Sequence, residues 1–322
     1  MKVVCSELNL KQIADSGQCF RMRALTEPDA LGASVGDGAS GTSVGDGASG
    51  SDAYEIISRD RRVIARQLPD GIELDCSPEE YEAVWRTYFD MDTDYASIIA
   101  SVDPSDKYLT GVAQAGYGIR ILNQDLWEMI VTFLISQQNN IPRIHKCIEN
   151  ICRTYGRHVE TGAPSGVTVE GTPGLDTPDG EEPGRDFFAF PTSESLAALG
   201  EDDLMPCNLG YRSKYVVRAA RSVVSGELDL DQLRRLDYPG SRERLLKVYG
   251  IGQKVADCVC LFALHHLEAF PIDTHIRQVL EREYGTEYSD AFPFSRYHDH
   301  LGVLQQYMFY GELMPSPPFA RK

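Results

Sequence analysis

The chain is short of base and has no long apolar run. Its 322 residues carry 31 Lys and Arg against 48 Asp and Glu, a formal net charge of -17. A protein that holds DNA by bulk electrostatics carries the opposite excess. The deficit excludes a broad polybasic surface and leaves only local basic faces. No run of 18 apolar residues occurs, so neither a membrane span nor a membrane partner is expected. Met1-Lys2-Val3-Val4-Cys5-Ser6 leads into polar residues, not into the apolar core of a secretion signal, which predicts a cytoplasmic protein. The 8 cysteines, Cys5, Cys19, Cys76, Cys147, Cys152, Cys207, Cys258 and Cys260, are scattered, with no Cys-x-x-Cys pair. That spacing argues against a zinc knuckle, a redox dithiol or an iron–sulfur cluster, and reduced thiols are expected. No metal site is predicted.

What is present divides unevenly along the chain. From Pro206 to Tyr288 there are 12 Lys and Arg and 11 Asp and Glu, a local balance of +1. Acid is concentrated elsewhere, as between Glu170 and Asp186. Residues 32–51 are low in complexity: the octet from Ser34 to Gly41 recurs from Ser43 to Gly50. Such Gly/Ser/Asp composition buries no core and reads as a surface insertion. A second Gly-, Pro- and acid-rich insertion runs from about Gly162 to Gly184.

Between the insertions lie two kinds of pattern. Tyr54–Ser58, Arg62–Leu68 and Gly71–Cys76 read as short strands parted by turns. Ser77-Pro78-Glu79-Glu80 reads as a helix start, with Ser as cap, Pro next and acid in the first turn. Helices are then predicted at 125–136, 141–155, 193–199, 213–225, 228–236, 241–248, 254–264, 273–283 and 296–310. The expected fold class is α+β. A small N-terminal antiparallel sheet domain (1–100) joins a larger all-helical domain (101–322).

The most informative stretch is Arg242 to Leu280. A short helix ends at Val248, Tyr249-Gly250-Ile251-Gly252 follows, and a second helix opens at Gln253. Two helices around Gly-x-Gly form a helix-hairpin-helix. Gly250 and Gly252 allow positive φ and close backbone approach, and the second helix can aim free N–H groups at an anion such as a DNA phosphate. Ile251 between them would plug the hairpin into the core. Taken alone, a plain helical corner is an equal reading. Lys254, however, lies in the first turn, where the helix field disfavours a cation and favours the neutral amine a nucleophile needs. Phe270-Pro271-Ile272-Asp273-Thr274-His275 then sets Asp273 at the N-cap of the next helix. Capping fixes a carboxylate where it can stabilise a developing cation.

Gly250-x-Gly252-x-Lys254 followed by Pro271-x-Asp273 resembles the helix-hairpin-helix Gly/Pro…Asp superfamily, and within it the 8-oxoguanine DNA glycosylase/AP lyase family. Ser16-Gly17-Gln18-Cys19-Phe20-Arg21 is similar to that family's pocket strand. Phe133 to Arg143 is similar to its Asn-rich intercalating turn, and Leu209 to Tyr215 to its wedge segment. The resemblance implies excision of 8-oxoguanine from double-stranded DNA by a monomeric enzyme acting at the nucleoid. Lys254 would attack C1′ and form a Schiff base, Asp273 would assist, and β-elimination would nick the strand. The base would first be flipped out. Gly17 would accept from N7–H of the lesion, Gln305 would read the pairing edge, and Phe309 and Cys258 would cover the two faces. His275 and the hairpin would grip phosphate. Gln138, Asn139, Arg143, Tyr211 and Arg212 would fill the vacated stack and read the opposite base. Gln138 stands where the best-known members have Asn, which leaves strict preference for cytosine open. No cofactor is required, and a monovalent cation at the hairpin is implied by resemblance alone. The competing readings are a glycosylase for another damaged purine and a non-catalytic DNA-binding module.

Overall fold

In a computed structural model, residues 1–25, 52–159 and 187–314 are described. Residues 32–51 and the second insertion lie outside them.

The N-terminal sheet has five antiparallel strands: β1 (Lys2–Val4), β2 (Met22–Ala24), β3 (Ala53–Ser58), β4 (Arg61–Leu68) and β5 (Gly71–Leu74), in the order β1-β5-β4-β3-β2. Arg59-Asp60 and Pro69-Asp70 make the tight turns that set the registers Ser58↔Arg61 and Leu68↔Gly71. The three strands expected from sequence are present. β1 and β2 were not expected, because three residues are too few to show alternation. Helix Leu10–Asp15 lies against the sheet. Its Leu10 and Ile13 join Ile56, Val63, Ile72, Leu74 and Trp85 in a core with little or no solvent exposure.

The helix start at Ser77 is real: its side chain accepts from Glu80 N. The helix then widens to π pitch over Tyr81–Trp85. Helix Leu126–Ser136 is buried on every face from Leu126 to Ile135, Glu128 and Thr132 included. Helix Ile141–Tyr155 buries Ile144, Cys147, Ile148, Ile151 and Cys152, a single stripe of helical period, and its cap Asn140 accepts from Arg143 N at 3.0 Å.

Three boundaries differ from the sequence reading. The helix expected at 241–248 begins at Tyr238, capped by Asp237 with Pro239 in its first turn. The one expected at 228–236 is a single turn, Leu230–Leu233. The last runs Leu301–Leu313 after a 3-10 turn at His298–His300, not 296–310. Its Gly302 sits where a Cβ would meet Leu261 and the Ala269 carbonyl, so this helix packs tightly on the second hairpin helix. Among the described residues no helix is long and apolar enough to cross a membrane.

Candidate active site

The hairpin joins helix Tyr238–Leu246 to helix Gln253–Ala263. Asp257 ties them together, accepting from Tyr238 Oη at 2.9 Å and Arg242 Nε at 2.6 Å. Gly250 has φ +93, and a Cβ there would lie 2.7 Å from Tyr215 Cγ. Ile251 is buried, as expected, and its N–H donates to Val248 O at 3.0 Å. Gly252 corrects the sequence reading: its φ is −95, so left-handed backbone does not explain it. Nothing lies within 4 Å of where its Cβ would be, and no side chain caps the helix it opens. The glycine therefore keeps a path open to the helix's first amides.

Lys254 follows on that first turn, half-buried, its Nζ 5.3 Å from the centre of the Phe133 ring. One turn on, Cys258 is buried. Burial pushes its thiol up to about 11, opposed by the charge and hydrogen bond of Lys254 and reinforced by the charge of Asp273. Cys258 therefore packs as a neutral thiol within electrostatic reach of both proposed reacting groups. Asp273 is indeed an N-cap: its Oδ1 accepts from Ile276 N at 2.8 Å, and its Oδ2 lies 3.7 Å from Nδ1 of the exposed His275. The His275 ring meets Phe309 edge-on at 6.3 Å.

Phe309 carries the site to the N-terminal domain. The Cβ direction of Gly17 points at it, 3.0 Å from Phe309 Cε1 and 3.5 Å from Ile141 Cδ1, with φ +74 at the glycine. Residues 16–21 form a turn rather than the expected strand, which begins at Met22. Gln305, one turn before Phe309, is 5% exposed, and its Oε1 is buried without a hydrogen-bond partner. Buried amide oxygens are rarely left so. Pairwise contacts thus link Lys254 and Asp273 to Cys258, Asp273 to His275, His275 to Phe309, and Phe309 to Gly17, with Gln305 one turn before Phe309.

The remaining residues gather at the turn after Leu126–Ser136. Gln138 is exposed with φ +47, and the Tyr211 hydroxyl lies 3.4 Å from its Oε1. Asn139 Nδ2 donates to Ile135 O at 3.1 Å. Arg143 is exposed and reaches Asn208 O at 3.3 Å. Arg212, which sequence placed as an outward reader, is only 3% exposed and donates to the Gln137 and Gln138 carbonyls at 2.7 Å each, beneath the Tyr211 ring. In this structure it shapes the turn. Gln137, which sequence reasoning missed, donates to Gly250 O at 3.0 Å and so locks the turn onto the hairpin. Phe133 was missed as a neighbour of the amine. Neither carries a local signal, because each partner is remote in sequence.

Residues 1–130 match the family model described as the N-terminal domain of 8-oxoguanine DNA glycosylase, and residues 131–291 that of the HhH-GPD superfamily of base excision DNA repair proteins. The N-glycosylase/DNA lyase of Saccharomyces cerevisiae is 32% identical over 209 residues, covering 61% of this chain and 50% of the yeast protein. The match thus spans half the length of that relative. The solved structure of MBOgg1 in complex with a low-affinity DNA ligand is 30% identical, with a TM-score of 0.76, covering 95% of this chain and 92% of that one. The Clostridium acetobutylicum 8-oxoguanine glycosylase/lyase, solved with double-stranded DNA containing cytosine opposite 8-oxoG, is 29% identical with a TM-score of 0.76, covering 95% and 91%.

Proposed function

The chain belongs to the HhH-GPD superfamily of base excision DNA repair proteins, with the N-terminal domain of the 8-oxoguanine DNA glycosylases, and on that premise we propose that it excises 8-oxoguanine from duplex DNA and then nicks the strand. The observation that carries this reading is the buried Gln305 amide oxygen with no partner, one helical turn from Phe309. An unspent acceptor suits the N1–H and N2–H donors on the pairing edge of a guanine-type base. A flipped purine would then lie between Phe309 and Cys258, with the Gly17 carbonyl toward its N7.

Chemistry follows from the amine. Lys254 Nζ attacks C1′ and the C1′–N9 bond breaks, its electron pair leaving with the base, which takes up a proton. Asp273, fixed by its cap, stabilises positive charge building on the sugar and accepts the ammonium proton. Ring opening yields the imine, loss of the C2′ proton expels the 3′-phosphate, and hydrolysis frees Lys254. No cofactor supplies electrons in this sequence. A monovalent cation on the hairpin carbonyls belongs to the same reading, as an aid to phosphate binding.

Borohydride tests the intermediate. The protein is incubated with duplexes carrying 8-oxoguanine opposite each base and then reduced. A covalent protein–DNA adduct is expected with wild type and absent with Lys254→Gln. An adduct that survives the substitution, or none with wild type on any duplex, refutes the imine route. The four duplexes also report whether Gln138 relaxes the choice of opposite base.

A further inference from the structure

Gln306 follows Gln305 on the same helix, turned about 100° from it. It is 2% exposed, and its Nε2 donates to the Ser16 carbonyl at 2.6 Å, across 290 residues of sequence. The rest of that turn is held in the same manner. Gln124 Nε2 donates to the Gln18 carbonyl at 2.9 Å, and the His145 ring nitrogen to the Phe20 carbonyl at 3.0 Å. Gln18 itself is fully buried, bonded to Ser16 Oγ, the Arg120 carbonyl and Leu122 N. Between the carbonyls fixed at Ser16 and Gln18, the Gly17 carbonyl has no donor among the described residues.

We propose that Gln306 and Gln124 are positioning residues for lesion recognition: they clamp the carbonyls on either side of Gly17 and so hold its own carbonyl where it can tell an N7–H from a bare N7. The inference rests on the proposed excision of 8-oxoguanine. A single carbonyl discriminates only if it cannot swing away from the base that lacks the donor. A mobile turn would relax, and the cost of leaving an acceptor unpaired would vanish. Gly17 itself has φ +74 and lies against Phe309, and the turn is further held by Gln18 and by the Ser16 hydroxyl, which donates to Ile13 O at 2.7 Å. One helix thus presents Gln305 and Phe309 to the pocket and anchors the opposite wall through Gln306.

The test is the ratio of single-turnover excision rates for 8-oxoguanine and guanine, opposite the same base. Gln306→Met keeps the volume and removes the donor; Gln124→Met removes the second clamp and serves if the first variant does not fold. The ratio is expected to fall about ten-fold, the scale of one buried unpaired polar group, and excision should suffer several times more than cleavage of a preformed abasic site. Gln306→Glu, whose protonated carboxyl can donate, should regain discrimination as pH falls. A variant that keeps the wild-type ratio overturns the proposal, as does a parallel loss of both activities with the thermal midpoint. A wild-type ratio near one sinks the functional reading itself, and this inference with it.

Discussion

The two hairpin glycines should separate folding from DNA contact. Gly250→Ala places a Cβ at φ +93, a left-handed conformation that costs an L residue about 1–2 kcal/mol. That Cβ also lands 2.7 Å from Tyr215 Cγ, on a ring hemmed in by Tyr211 at 5.8 Å and Tyr249 at 5.5 Å. Crowding of this kind costs about 1–3 kcal/mol more. At about 1.5 °C per kcal/mol for a chain of 322 residues, the thermal midpoint should fall by at least about 3 °C. Gly252→Ala is the opposite case. Its φ of −95 suits alanine, and nothing stands within 4 Å of the new methyl. The roughly 0.5–1 kcal/mol lost by a poorer cap is offset by about 0.4–1 kcal/mol of reduced unfolded-state entropy. Its midpoint should therefore stay within about 2 °C. The methyl stands before the open amides, however, and each charge-assisted bond to phosphate that it blocks is worth about 1.5–3 kcal/mol, so affinity should weaken at least about ten-fold. Calorimetry gives the midpoints, and fluorescence anisotropy of an 8-oxoguanine duplex in a Lys254→Gln background gives Kd. Wild-type affinity in Gly252→Ala, or an unmoved midpoint in Gly250→Ala, refutes the argument.

Asp273→Asn retains an N-cap and removes the charge, so stability and DNA affinity should hold while turnover falls about a hundred-fold or more; unchanged turnover would leave Asp273 as a cap alone. The share of stability that rests on Glu128 should fall as pH rises from about 4.5 toward 7, opposite in sign to the share of the partly buried His145, His266 and His300, whose pKa values burial lowers. Burial pushes Glu128 from its ordinary 4.5 up to about 7, against the Arg21 guanidinium 3.7 Å away. The folded state therefore holds that proton more tightly than the unfolded chain. Its stabilising contribution is complete below about pH 4.5 and is lost through that window. Melting curves of Glu128→Gln should lack this slope; a slope identical to wild type would contradict the assignment.

What sequence revealed was local. Ser77, Asp125, Asn140 and Asp273 all accept from the N–H three residues on, so each cap is written within one turn of its helix. The hairpin and Lys254 lie within a dozen residues of one another. What escaped was pairing at a distance. Gln306 meets Ser16 and Gln137 meets Gly250 only once the chain has folded, and neither glutamine differs in sequence from a surface residue. Arg212 failed for a related reason. An arginine between a tyrosine and a helix start looks exposed, and only the carbonyls of Gln137 and Gln138 make its burial tolerable. Gly252 shows the converse. The left-handed backbone expected of it is absent, and what the glycine leaves instead is open space beside the amides.

The acidic composition ceases to be a paradox once the bases are followed to their partners. Arg23 and Arg62 share Glu55, Arg218 meets Glu201, Arg242 meets Asp257, and Arg282 meets Glu312. Much of the base is thus spent inside the protein. On the proposed DNA face the donors include the uncapped amides after Gly252 and the exposed side chains of Arg143 and His275, with Lys247 and Arg277 exposed nearby in sequence. Few phosphates can be neutralised by such a set, so both the non-specific grip and its dependence on salt should be small. On the proposed reading, discrimination would come from geometry in the pocket, from the unpaired Gln305 oxygen and the turn around Gly17 that Gln306 and Gln124 hold. A weak general hold with a rigid local reader would suit the proposed activity, which requires undamaged guanine to be left quickly.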